Sequence, residues 1–180
     1  MKPIYLIEPL AKHHERSKFH CGVHYLDRYL HERARQEATK RIAASFVLLE
    51  QGSQKVAGYY TLSATGVDIG DWPENIARKL PKYPVTPATL LGRLAIDERC
   101  RGQGLGEHLL LDALFRSWSL SEQIGSVAVV VEAKDDQARS FYARYGFISF
   151  PERKGRLFIP MKTIAELWND IAAPENPDPT

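Results

Sequence analysis

The sequence predicts an α/β (α+β) chain folded around one central sheet. Strand-type and helix-type segments interleave along the whole 180 residues, as expected when helices are laid on a sheet. Val127 to Val131 is an apolar, mostly β-branched run, the pattern of a strand buried on both faces. Leu90 to Ile96 leads into Arg101-Gly102-Gln103-Gly104-Leu105-Gly106 and then into a long amphipathic segment. That order reads as strand, tight basic glycine loop, helix.

Taken in order, Pro3 to Leu10 reads as a first strand and Lys12 to Phe19 as a basic, histidine-rich linker. Gly22 to Thr39 reads as a helix, because Leu26, Tyr29, Leu30, Ala34 and Ala38 share one face. Ala44 to Glu50 and Lys55 to Thr65 are β-type runs around Gln51-Gly52-Ser53-Gln54, which predicts a hairpin. Glu74 to Leu80 suits a short helix, and Pro81, Pro84 and Pro87 predict an extended loop after it. Gly104 to Trp118 and Asp136 to Tyr145 are helical, the second stopped by Gly146. Phe147 to Phe150 and Arg156 to Met161 form a last strand pair, and Ile164 to Ala172 a closing helix. With no internal repeat or long linker, residues 1–173 are expected to be one domain and 174–180 a disordered, acidic, proline-rich tail.

A hydrophobic fraction of 44% and a charged fraction of 26% are those of a soluble globular protein. No apolar run approaches the ~18 residues of a membrane span. The first residues lack a long apolar signal region, so a cytoplasmic location is expected. Cys21 and Cys100 form no C-x-x-C pair, which fits a reducing compartment. Net charge is only +2, but four acids and no base follow from Glu166 onward, which leaves residues 1–165 at +6. That distribution permits a polyanionic partner without requiring one.

The glycine loop is a candidate anion cradle. Glycines let main-chain N–H groups converge on a phosphate, and the helix start behind them adds unpaired N–H groups and partial positive charge. Two nucleotide-binding readings fail on spacing: G-x-G-x-x-G is not met, and no G-x-x-x-x-G-K-[ST] run exists. His20 and His24 have i, i+4 spacing, but the helix begins only near Gly22 and no zinc-protease glutamate follows. No metal is expected at them or at His13 and His14.

Downstream of the loop lies Ala138-Arg139-Ser140-Phe141-Tyr142-Ala143-Arg144-Tyr145-Gly146-Phe147. An R-x-x-G-x-G loop between strand and helix, followed by A-x-x-F-Y-x-x-x-G-F, resembles the GNAT superfamily of N-acetyltransferases over about Thr89 to Phe150. The resemblance implies a mixed, V-splayed sheet holding acetyl-CoA. Main-chain groups of Leu94, Ala95 and Ile96 would meet the pantetheine arm, and a main-chain N–H at Leu94 or Ala95 the oxyanion. Arg101, Gly102, Gln103, Gly104, Leu105 and Gly106 would bind the pyrophosphate, with Ser140 on the cofactor side. Tyr142 falls on the family's tyrosine and can protonate the departing thiolate as general acid. Asp135 stands where many members carry asparagine, and is expected to cap the following helix instead.

The N-terminal half narrows this. Phe19-His20-Cys21, Leu26-Asp27-Arg28-Tyr29-Leu30, Phe46-Val47, Gly58-Tyr59-Tyr60 and Leu91-Gly92-Arg93-Leu94-Ala95 resemble the GNAT toxins of bacterial type II toxin–antitoxin systems. Those acetylate the α-amine of aminoacyl-tRNA and block translation. The resemblance implies an aminoacyl-tRNA substrate, a DNA-binding antitoxin partner and a homodimer. Arg93 and Tyr59 are candidates for the acceptor side, and Lys40 and Arg41 for phosphate contacts. Arg93 could instead pair with Glu132. A small-molecule amine acetyltransferase, or a non-catalytic acetyl-CoA-binding module, would need only the central motifs.

Overall fold

The structure, a computed structural model, describes residues 1–172; the predicted tail at 174–180 lies outside them. Seven strands form one mixed sheet in the order β1-β2-β3-β4-β5-β7-β6. They are β1 (Tyr5–Pro9), β2 (Ala44–Glu50), β3 (Val56–Asp68), β4 (Val85–Ile96), β5 (Ala128–Glu132), β6 (Ile148–Phe150) and β7 (Arg153–Pro160). Only the central pair, β4 with β5, is parallel.

Helices cover both faces. α4 (Leu105–Ser121), α5 (Asp136–Arg144) and α6 (Met161–Ala172) pack on one, over Tyr60, Leu91, Val129 and Val131. On the other, α1 (His24–Arg28), a π-helical turn (Tyr29–Arg33) and α2 (Ala34–Thr39) pack on Val47, Tyr59 and Ala95. A separate cluster on that second face gathers Trp72, Val130, Phe150 and Phe158 under the short α3 (Glu74–Ala77). Alternation along β5 explains the division: Val129 and Val131 face α4, Val130 faces away, and all three are fully buried.

The hairpin at residues 51–54 and the helix stop at Gly146 (φ 94°) stand as predicted. Three expectations need correction. The helix expected over 22–39 is broken by the π turn, an extra main-chain residue per turn of the kind found at functional sites. Pro87 lies inside β4, not in a loop. Its carbonyl accepts from Val127 N–H, so its nitrogen faces the same side, where β5 has not yet begun and no donor is missed. Met161 opens α6 and does not close the last strand.

The site is created where β4 leaves β5. Their ladder spans only Thr89–Leu91 against Val129–Val131. Beyond it, β4 remains paired to β3, but its other edge is open. A bulge accompanies the separation: Thr61 pairs with Arg93 and Leu62 with Leu91, leaving Gly92 as the extra residue. Leu91 and Leu94, three positions apart, consequently face the same side.

Candidate active site

The open edge of β4 supplies the first element of the site. Asp97 N–H donates to Ala57 of β3, so by two-residue alternation the main-chain groups of Ala95 also face β3. Those of Leu94 and Ile96 face the gap, unpaired by any strand. This corrects the expectation for Ala95. Its main chain is used within the sheet and its side chain is buried against Tyr59 on the far face, so of the two oxyanion donors considered only the Leu94 N–H faces the gap.

The glycine loop supplies the second. From Gly102 to Glu107 no main-chain N–H has a main-chain acceptor among the described residues; the first helical bond of α4 is His108 N–H to Gly104 carbonyl. Six donors are thus left without a main-chain partner at the start of a 17-residue helix, where the helix dipole adds partial positive charge. Gly102 and Gly104 both have φ 74°, the left-handed region that only glycine enters cheaply, and a Cβ at either would meet no atom within 4 Å. The space in front of the loop is open.

Between these elements and α5 lies a cleft of about 680 Å³. Leu94, Arg101, Ser140, Phe141 and Tyr142 line it, so of the predicted cofactor residues the structure brings Leu94, Arg101 and Ser140 beside Tyr142, while Gly104 lines a separate hollow with Glu107 and His108. Lys134 and Arg144 line the cleft too. Sequence reading missed both, since neither belongs to a spaced motif; Arg144 reaches the lining from the end of α5 and Lys134 from the segment before it. Asp135, also in the lining, accepts from Ala138 N–H at 2.8 Å and caps α5 as expected.

Arg101 has a different partner from the one expected. Its Nη2 donates to the Cys21 carbonyl and lies 3.6 Å from Glu98 Oε1, so it ties the N-terminal segment to the loop while lining the cleft. Gln103 is held by Tyr5, whose hydroxyl donates to Oε1 at 3.3 Å. The Leu105 side chain is core, and Gly106 lies against Phe141.

Tyr142 is 8% exposed and packs between Phe141 and Phe147. Burial lifts its phenol to about 12, with nearby Tyr25 adding to the rise. It is therefore fully protonated at neutral pH, as a proton donor must be.

The acceptor-side predictions fare unevenly. Tyr59 is fully buried and donates to the Leu26 carbonyl at 2.7 Å, so it is a core residue and not part of a substrate surface. Tyr60 is likewise buried, bonded to Asp112. Arg93 does not pair with Glu132, which takes Arg153 and Arg156. Its guanidinium instead sits 3.5 Å over the Tyr29 ring at the π turn, with no carboxylate within 4.0 Å among the described residues. Lys40 and Arg41 are exposed at the end of α2, outside the cleft, with Arg41 in the left-handed conformation (φ 58°) that closes the helix. Glu8, His13 and His14 converge, a cluster not foreseen. His14 Nδ1 accepts from Ala11 N–H, so its proton is on Nε2 and is donated to Glu8 at 2.6 Å.

Residues 85–165, from β4 to α6, match the family described as acetyltransferase (GNAT) domain. The "tRNA-acetylating toxin" of Mycobacterium tuberculosis (strain ATCC 25618 / H37Rv) is 36% identical over 154 residues, covering 86% of this chain and 90% of that protein. The chain belongs to the GNAT acetyltransferase family. A second GNAT relative, "Probable toxin TacT" of Sinorhizobium fredii (strain NBRC 101917 / NGR234), is 30% identical over 170 residues, 90% of this chain and 94% of that one. Among solved structures, AtaT complexed with acetyl-methionyl-tRNAfMet matches at TM-score 0.85 and 31% identity, over 92% of this chain and 99% of that one. AtaTR bound with AcCoA matches at 0.80 and 32%, over 91% and 98%. An AtaT mutant bound to the C-terminus of the antitoxin AtaR matches at 0.77 and 30%, over 91% and 98%.

Proposed function

We propose that this protein transfers an acetyl group from acetyl-CoA to the α-amine of an aminoacyl-tRNA, and acts as the translation-blocking toxin of a type II toxin–antitoxin pair. The observation that carries the chemistry is the glycine loop: Arg101 at its start lines the same cleft as Tyr142, and the N–H groups after it, from Gly102 to Glu107, have no main-chain acceptor among the described residues. Similarity to the tRNA-acetylating toxin and to AtaT over nearly the whole chain supports the acceptor.

Acetyl-CoA supplies an acyl group activated as a thioester. The loop amides hold its pyrophosphate, with Lys134 and Arg144 adding charge at the mouth. Leu94 and Ile96 present main-chain donors and acceptors along the strand gap, where an extended amide-bearing arm can replace the missing neighbour strand. The Leu94 N–H stabilises the oxyanion. Tyr142 gives its proton to the sulfur as the C–S bond breaks. The attacking α-amine, with a pKa of ~7.7–8.0, is roughly a sixth neutral at pH 7 and needs little help from a base. Arg93, stacked on Tyr29 without an acidic partner, is offered to a phosphate or carbonyl of the acceptor end. Lys40 and Arg41 extend the basic surface toward tRNA.

We further read the protein as cytoplasmic, homodimeric, and neutralised by a DNA-binding antitoxin. AtaT bound to the AtaR C-terminus supports the partner, and sedimentation of the purified protein checks the dimer. The deciding experiment incubates the protein with labelled acetyl-CoA and charged tRNA. Label is expected on the aminoacyl moiety; label only on free small amines would overturn the tRNA reading while leaving the acetyltransferase intact.

A further inference from the structure

One large aromatic ring near the cleft has no task in the reaction as described. Tyr25, in the first turn of α1, is 58% exposed. Two contacts set the start of α1 at the cleft rim. Arg101, which lines the cleft, donates from Nη2 to the Cys21 carbonyl. Gly22 lies flush on the same side chain: a Cβ there would stand 3.1 Å from Arg101 Nη2 and 2.6 Å from Glu98 Oε1. The helix begins at His24, and Tyr25 is near enough to Tyr142 to add to the rise of its phenol.

A cation lies one turn further along. Tyr29 N–H donates to the Tyr25 carbonyl, so the two side chains follow one another on one helix face. The Tyr29 ring is fixed in place. Its hydroxyl donates to Glu37 Oε2 at 2.8 Å, and the Arg93 guanidinium lies 3.5 Å over it. Arg93 is partly exposed and directly precedes Leu94 of the cleft wall. An exposed ring and a guanidinium with no carboxylate partner among the described residues thus share this side of the gap. Unpaired nucleotides are held by that combination: the base lies on the π face and the phosphate meets the cation. An open ring suits a flat base laid on it better than an amino-acid side chain, which needs an enclosed pocket.

We infer that Tyr25 is the platform on which the terminal base of the charged tRNA stacks. This rests on the aminoacyl-tRNA reading above and adds a residue to it. A charged tRNA carries its amino acid as an ester on the ribose of its last adenosine. Holding that adenine against α1 sets the ester, and the α-amine beyond it, toward the gap and the thioester. The role is positioning; the ring transfers no proton.

The test compares wild type, Tyr25→Ala and Tyr25→Phe in steady-state acetylation of charged tRNA. Tyr25→Ala should raise KM for charged tRNA at least roughly fivefold, as loss of one base–aromatic stack predicts, with kcat and acetyl-CoA affinity within about twofold of wild type. Tyr25→Phe keeps the ring and should keep the wild-type KM. The uncharged oligonucleotide ACCA lacks the aminoacyl group. It should inhibit wild type competitively, and Tyr25→Ala at least roughly fivefold more weakly. Inhibition that is absent, or equal in the two proteins, would overturn the platform, as would an unchanged KM or a Tyr25→Phe that behaves like Tyr25→Ala. A wild type that acetylates no charged tRNA refutes the reading underneath; a wild type that does so, beside an equally active Tyr25→Ala, refutes the role of Tyr25 alone.

Discussion

Tyr142 combines two properties that pull in different directions. Burial makes its phenol a weaker acid, about 12, than the alkyl thiol it serves, ~8.5. It cannot act by shedding its proton to water; it can donate only as negative charge builds on sulfur. Tyr142→Phe is therefore expected to cut turnover tenfold or more while changing acetyl-CoA affinity less than about threefold, measured by steady-state kinetics and calorimetry. The pH profile should follow from the same values. Activity rises as the acceptor amine loses its proton near pH 8 and stays level to at least pH 10, because the phenol remains protonated there. Tyr142→Phe should keep that rise and lower the plateau; a fall setting in near pH 9 in the wild type alone would contradict the assignment.

One step up, the cradle is a property of the β4–loop–α4 unit. Gly104 caps α4 with φ 74° and an empty Cβ position, so the demand is conformational and not steric. Gly104→Ala should cost about 1 kcal/mol of stability, read by urea unfolding, since alanine pays for the left-handed conformation. Gly104→Glu adds bulk and a like charge in front of the amides and should weaken acetyl-CoA binding at least tenfold with the fold retained; undiminished affinity would refute the cradle. These glycines were legible from sequence, because their spacing between an apolar run and an amphipathic helix is a local signal. Lys134 and Arg144 were not, because nothing local says which way a cation before a helix or at its end will point.

Across the molecule, Asp97 stitches the N-terminal segment to the end of β4. It is 1% exposed and accepts from His20 N–H at 3.1 Å and from Arg99 Nε at 2.8 Å. Burial alone would raise its pKa, but the hydrogen bonds from Arg99 and His20 outweigh it and hold the carboxyl at about 2. Against an unfolded value of ~3.9, the depressed pKa stabilises the folded state by about 2 kcal/mol above pH 5, lost as pH falls toward 2. Asp97→Asn should thus lower stability by about that amount at pH 7, and the gap from wild type should close near pH 2. Urea unfolding of both proteins across that range reads it; a gap independent of pH would remove the charge from the explanation.

Taken alone, the sequence determined the order of elements, the α/β class, the glycine loop between β4 and α4 and the tyrosine on the helix after β5. Each depends on residues near one another in the chain, where period, turn chemistry and spacing act directly. It also led to the toxin branch through motifs spread over the N-terminal half. What the tertiary structure decided was every question of direction. Tyr59 and Ala95 sit on β3 and β4 as expected, yet pairing parity turns one into the core and the other's main chain into the ladder. Arg93 went to an aromatic ring and not to Glu132, because the Gly92 bulge sets the face that the following residues present. The gap itself exists because β4 and β5 share only three register pairs. Where two strands stop pairing is settled by what packs on both faces of the sheet, and that sum over distant residues is not written in any local stretch of chain.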